Sequence, residues 1–129
     1  MKILANDGIE KSAQLKLESA GFIISAEKIQ QEKLAEEINK NNFSVLLVRS
    51  ATQVRKNMID ACPDLKLIGR GGVGMDNIDV EYARSKGIKV INTPAASAIS
   101  VAELVFAHLF SMARSLYDSN REMPVKGET

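Results

Sequence analysis

LKLIGRGGVGMDNIDVEYARSKGIKVIN, residues 65–92, decides the fold. It opens on an apolar run, Leu65–Gly69, and passes through a loop with glycines at 71, 72 and 74. A helical stretch, Val80–Lys86, follows and is stopped by Gly87, and a second apolar run, Lys89–Ile91, closes the segment. Strand, helix and strand within about thirty residues make a βαβ unit, which pairs its strands in parallel.

The same alternation extends toward the N-terminus. Further strands are expected at Lys2–Ala5, Phe22–Ser25 and Ser44–Val48, and helices at Ile9–Ala20, Glu32–Lys40 and Asn57–Cys62. Most of the strand runs are continuously apolar rather than alternating, as required of strands covered on both faces. The expected architecture is therefore α/β: a small, doubly wound, flavodoxin-like sheet of five parallel strands with helices on both faces. Beyond it, Ser100 followed by Glu103 reads as a capping box that opens a helix over Ser100–Leu116. The tail from Asp118 to Thr129 is polar and aperiodic and reads as a linker or frayed end. The division expected is 1–99 for the sheet domain, 100–117 for a crossover helix and 118–129 for the tail.

Composition narrows the function. The chain has 129 residues, with 17 basic and 16 acidic side chains. A net charge of +1 gives no basic excess for a nucleic-acid partner. One cysteine, Cys62, excludes a disulfide framework, and with His108 the only histidine there is no soft-ligand set for a metal. No apolar run is long enough for a membrane helix, and the start MKILANDG lacks a signal peptide's apolar stretch; a cytoplasmic protein is expected.

Ligands of doubly wound sheets bind at the carboxyl ends of the strands. Chemistry is therefore expected at Asn6-Asp7, Arg49-Ser50, Arg70–Asp76 and Asn92-Thr93. Residues 69–74 match G-x-G-x-x-G, the dinucleotide fingerprint, but the context disagrees. Five residues, Met75–Asp79, separate the last glycine from the helix, and Asp79 reads as its N-cap. Asn92-Thr93 stands where the ribose-binding acid belongs, and the loop is the fourth βα turn rather than the first. A compact anion cradle fits better: close-set glycines offer backbone N–H groups, and Arg49 on the neighbouring strand adds a guanidinium suited to carboxylate or phosphate. A receiver domain of the same size is excluded because Arg49-Ser50 occupies the place of its phosphorylated aspartate. A non-catalytic small-anion-binding module remains an open alternative.

LLVRSAT (46–52), the 65–94 stretch ending in N-T-P, and SVAELVFAHLFSMAR (100–114) together resemble the D-isomer-specific 2-hydroxyacid dehydrogenases, most of all their phosphoglycerate-oxidising members. The likeness runs in order over roughly residues 44–114. It implies NAD-dependent oxidation of a D-2-hydroxyacid, 3-phosphoglycerate foremost, with glycerate or lactate as alternatives. It implies that Arg49 and Ser50 reach a substrate phosphate and that Gly72, Val73 and Gly74 hold the substrate carboxylate through backbone N–H groups. Ser97 stands where many members carry an asparagine toward the substrate, and Val73 and Val101 match positions facing the nicotinamide.

No catalytic residue is assigned within the 129. The resemblance places the nucleotide domain and the hydride-transfer Arg, Glu and His outside them, so an inactive fragment is expected. His108, within the crossover helix, is not that histidine. The nearly all-apolar helix 100–116, with Phe106 and Phe110 on a side away from the Val101–Leu104–Val105 stripe, leads to the expectation of a homodimer.

Overall fold

The structure, a computed structural model, describes residues 1–126. Five strands form one parallel sheet: β1 (Lys2–Ala5), β2 (Ile23–Ser25), β3 (Val45–Val48), β4 (Leu67–Arg70) and β5 (Lys89–Asn92), in the order β2-β1-β3-β4-β5. The helices between them are α1 (Lys11–Ser19), α2 (Leu34–Lys40), α3 (Lys56–Ala61) and α4 (Val80–Ser85). The sequence-derived strands and helices lie within two residues of these bounds. This is the doubly wound α/β fold the alternation predicts.

The strand order turns back at β1. Right-handed crossovers then place α1 on one face and α2, α3 and α4 on the other. The core shows this asymmetry: Leu4, Leu46, Val48, Ile68 and Val90 point toward Leu34, Ile38, Met58, Ile59 and Ala83 of α2–α4, whereas α1 contributes no buried residue. Cys62 belongs to this core, and burial pushes its thiol up to about 11, which removes it as a nucleophile. Gly21 and Gly87, the two helix stops, both take left-handed backbone at φ +87° and +79°.

The backbone divides into two compact units, one over Met1–Pro94 and one from Ala95 onward. The second unit carries α5 (Ala98–Ala113) and α6 (Leu116–Lys126), bent by 57° at a break where Ser115 takes φ +48°. Two expectations are corrected here. The Ser100/Glu103 capping box does not form: α5 begins one turn earlier, with Ser97 at the N-cap position and no side-chain cap bond. Only Pro94 interrupts the run of small helix-compatible residues before Ser100, so the backbone coils sooner. The tail is helical as far as Lys126, despite its aperiodic polarity and Pro124. Ser119 N–H bonds the Ser115 carbonyl and Arg121 pairs with Asp118, so local contacts supply what an apolar stripe does not. Residues 127–129 of that expected tail lie outside the described residues. Among the described residues, no single helix is long and apolar enough to cross a membrane.

Candidate functional site

The carboxyl ends of β1, β3, β4 and β5 open into a cleft of about 690 Å³. Its rim carries Asp7, Arg49, Arg70, Gly71, Asn92 and Thr93. Its floor is Leu47, Gly69 and Ile91, which are cross-strand neighbours on the face away from α2–α4. Gly69 makes room there: a Cβ at that position would stand 2.7 Å from Leu47 Cδ2.

Two arginines flank the glycine loop. Arg49 leaves the end of β3 and is exposed, while Arg70 ends β4, half-buried. The Arg70 guanidinium lies over Gly72, and its buried Nε donates to no protein atom. Two guanidinium groups on adjacent strand ends can take the oxygens of one anion or of two close ones.

The loop itself is held from below. Gly71 N–H donates to the Val48 carbonyl at 2.8 Å, and Gly72 N–H to Thr93 Oγ1 at 2.8 Å. Gly72 takes φ +147°, a conformation that only glycine adopts readily. This amends one expectation: the Gly72 amide is already engaged, so its part in the cradle is to shape the turn and admit Arg70. The amides of Val73 and Gly74 bond no protein acceptor among the described residues. The Val73 carbonyl accepts from Asn92 Nδ2 at 2.7 Å, which fixes the peptide's orientation, and the valine side chain is 50% exposed. Two free, adjacent N–H groups beside two guanidiniums make a cradle for a carboxylate or phosphate.

Ser50 is exposed beside Arg49 and faces a second hollow shared with Lys28 and Gly8. Ser97 and Val101 belong to the second unit, where Ser97 precedes α5 and Val101 is exposed on its first turn. The first unit thus brings together Arg49, Ser50 and the 72–74 loop.

Asp79 is at the N-cap of α4, but its carboxylate serves α3: Oδ2 accepts the Lys56 N–H at 2.9 Å and Oδ1 pairs with Arg55 at 3.1 Å. The Arg55 bond holds its carboxyl below the ordinary range, outweighing burial, with the Lys56 amide adding to it.

Sequence reasoning included Arg70 only as the start of the Arg70–Asp76 stretch, without a role, and gave no role to Thr52 or Asn77. Asp7 was placed at a strand end without a role. Its side chain, 4% exposed, accepts from the amides of Arg49 (2.7 Å) and Thr52 (3.1 Å), from the Thr52 hydroxyl (2.7 Å) and from Lys28 Nζ (2.5 Å). Burial by itself would raise its pKa; the Lys28 bond and those three donors prevail and hold it far below the carboxylate range. The available signal was a polar residue, Asn77, between two apolar elements; its partners are 25 and 28 residues away, beyond any local pattern.

With this geometry in place, the likenesses to known proteins become specific. Residues 3–118 match the sequence profile of the D-isomer specific 2-hydroxyacid dehydrogenase catalytic domain. The chain belongs to this family. It is 45% identical over 116 residues to a D-3-phosphoglycerate dehydrogenase of Methanocaldococcus jannaschii, a match covering 90% of this chain and 22% of that protein. It is 42% identical over 116 residues to a hydroxypyruvate reductase of Thermotoga maritima, covering 89% and 37%. A solved 3-phosphoglycerate dehydrogenase of Entamoeba histolytica with bound NAD+ superposes with a TM-score of 0.70 at 31% identity, over 86% of this chain and 38% of that one. The chain thus spans between about a fifth and two fifths of the length of these three relatives. Among the described residues of this family member, no three His, Cys, Asp or Glu side chains group as a metal site.

Proposed function

We propose that this chain forms the substrate-binding part of an NAD-dependent D-2-hydroxyacid dehydrogenase, with 3-phosphoglycerate as its hydroxyacid. One observation carries the reading: Arg49 and Arg70 end adjacent strands beside a glycine loop whose Val73 and Gly74 amides are free. A substrate with a carboxylate at one end and a phosphate at the other uses both features. The loop amides take the carboxylate, and Arg49, with Ser50 next to it, takes the phosphate. The similarity to phosphoglycerate dehydrogenases at 45% and 31% identity supports this.

NAD supplies the hydride acceptor when bound. The exposed, apolar Val73 suits the face of a nicotinamide ring, and Val101, exposed in the second unit, is assigned to the ring by the resemblance alone. The chain's own task is to bind and orient the hydroxyacid. The hydride-transfer Arg, Glu and His are assigned to a part of the protein outside these residues, so the 129 residues by themselves are expected to form no NADH from 3-phosphoglycerate and NAD. NADH production by the purified chain overturns that assignment.

The likeness to a hydroxypyruvate reductase at 42% identity favours the rival, an unphosphorylated hydroxyacid. Binding of 3-phosphoglycerate and of D-glycerate to the chain and its Arg49→Ala variant separates the two. A charge-assisted contact to phosphate is worth about 1.5–3 kcal/mol, so Arg49→Ala is expected to cost 3-phosphoglycerate roughly 10- to 150-fold and glycerate little. Equal losses for both ligands show that Arg49 does not read a phosphate.

A further inference from the structure

Residues 49–52 join β3 to the loop before α3 without regular structure, and they carry Arg49 and Ser50. An irregular segment at a strand end has backbone polar groups with no ladder partners, and its conformation is set by whatever satisfies them. Here two side chains do so, from opposite sides. One oxygen of Asp7, Oδ2, accepts the amides of Arg49 and Thr52. One nitrogen of Asn77, Nδ2, donates to the carbonyls of the same two residues, at 2.8 and 2.7 Å. Both side chains are buried, and Thr52 between them is buried as well.

The rest of the network braces the clamp. The Thr52 hydroxyl donates to Asp7 Oδ1 and accepts from Asn6 Nδ2 at 2.8 Å. Asn6 in turn bonds both the amide and the carbonyl of Ile29. Lys28 pairs with Asp7 from the solvent side. Val54 and Ile78 form an isolated parallel bridge, with Val54 N–H on the Asn77 carbonyl at 2.8 Å.

Asn77 belongs to the same loop as Val73 and Gly74. The side chain that closes the clamp on the Arg49 segment therefore also fixes that segment's distance from the loop amides. We infer that Asp7 and Asn77 are positioning residues that set the span between the Arg49 anion site and the glycine-loop anion site, and so select a ligand with two anionic groups at that separation. The inference rests on the phosphate reading of Arg49 proposed above.

The sign of the effect separates positioning from charge. Asp7 is an anion close to the Arg49 site, and as a bare charge it repels a phosphate, so neutralising it would tighten phosphate binding. If it positions Arg49, neutralising it weakens phosphate binding and leaves a carboxylate-only ligand alone. In Asp7→Asn the side-chain oxygen can keep both amide bonds, but they weaken without the carboxylate's charge and an NH2 group then faces Lys28 and the Thr52 hydroxyl, so the clamp loosens.

The experiment titrates 3-phosphoglycerate and D-glycerate into the full 129-residue chain, as wild type, Asp7→Asn, Arg49→Ala and the double variant. The expected result is that Asp7→Asn lowers the affinity ratio of 3-phosphoglycerate to glycerate roughly tenfold, the low end of a charge-assisted contact. Because Asp7 acts through Arg49, the double variant is expected to match Arg49→Ala within about twofold. A ratio unchanged or raised in Asp7→Asn, while Arg49→Ala still collapses it, overturns the clamp and leaves the phosphate reading standing. A ratio unmoved by Arg49→Ala removes the phosphate reading and the clamp with it. Should Asp7→Asn fail to fold by circular dichroism, Asn77→Ser opens the carbonyl side of the same clamp and carries the same expectations.

Discussion

Gly72→Ala tests how the glycine loop is built. Gly72 has φ +147°, and a Cβ there would overlap the Arg70 guanidinium, lying 2.8 Å from its Cζ. Two penalties follow. A non-glycine residue in this sparsely populated region costs about 1–3 kcal/mol. The guanidinium must also leave its place over the loop, although as the end of a flexible side chain it moves at small cost. The Gly72 amide, bonded to Thr93 Oγ1, ties the strain to the end of β5. For a domain of this size roughly 4–8 °C is lost per kcal/mol, so the melting temperature is expected to fall roughly 5–20 °C. Displacing Arg70 is expected to weaken 3-phosphoglycerate as well. Gly71→Ala is the internal control: its Cβ would meet Arg49 Cγ at 3.5 Å and the Val48 carbonyl oxygen at 3.8 Å, ordinary contacts. That variant is expected to be neutral or stabilising by up to about 1 kcal/mol. Thermal unfolding followed by circular dichroism, with calorimetric titration of the ligand, measures both. If Gly72→Ala melts within a degree of wild type, or the two variants fall equally, the turn does not depend on Gly72's backbone freedom and the reasoning fails.

Two further outcomes are expected. Asp7 has a folded pKa below its unfolded one, so its stabilisation is fully present above about pH 4 and drains away as pH falls below that toward the folded value. The gap in melting temperature between wild type and Asp7→Asn is therefore expected to hold from pH 7 to about 4 and to narrow, without closing, by pH 2.5; a gap independent of pH contradicts the ion's role. The exposed apolar side chains of α5, Phe110 at 63% and Met112 at 80% among them, are proposed as the contact of a homodimer; Phe106 and Phe110 stack with ring centroids 6.3 Å apart. Sedimentation equilibrium is expected to show self-association that Phe106→Asp with Phe110→Asp abolishes, and a wild type monomeric at tens of micromolar, about where a weak interface of standard size would associate, refutes it.

The sequence alone determined the parallel sheet and the address of the site. Apolar runs of strand length, glycine stops at 21 and 87 and the loop at 69–74 are local signals, and local signals suffice for alternating strands and helices. They also put Arg49 and the glycines at strand ends, where a doubly wound sheet binds ligands. The start of α5 and the course of the tail were misread because a capping box and an apolar stripe compete with weaker local bonds that no pattern ranks. What only the tertiary structure decided is which groups meet. Asp7 and Asn77 grip the same two residues, Arg49 and Thr52, from positions 42 and 28 residues away from Arg49. Arg70 folds over a glycine two residues on, and Thr93 takes the amide that was expected to hold substrate. The Asp7, Thr52 and Asn77 side chains are buried with no water to turn to, and which partner each finds depends on the packing of β1, β3, β4 and β5 side by side. That packing is carried by no single stretch of the chain.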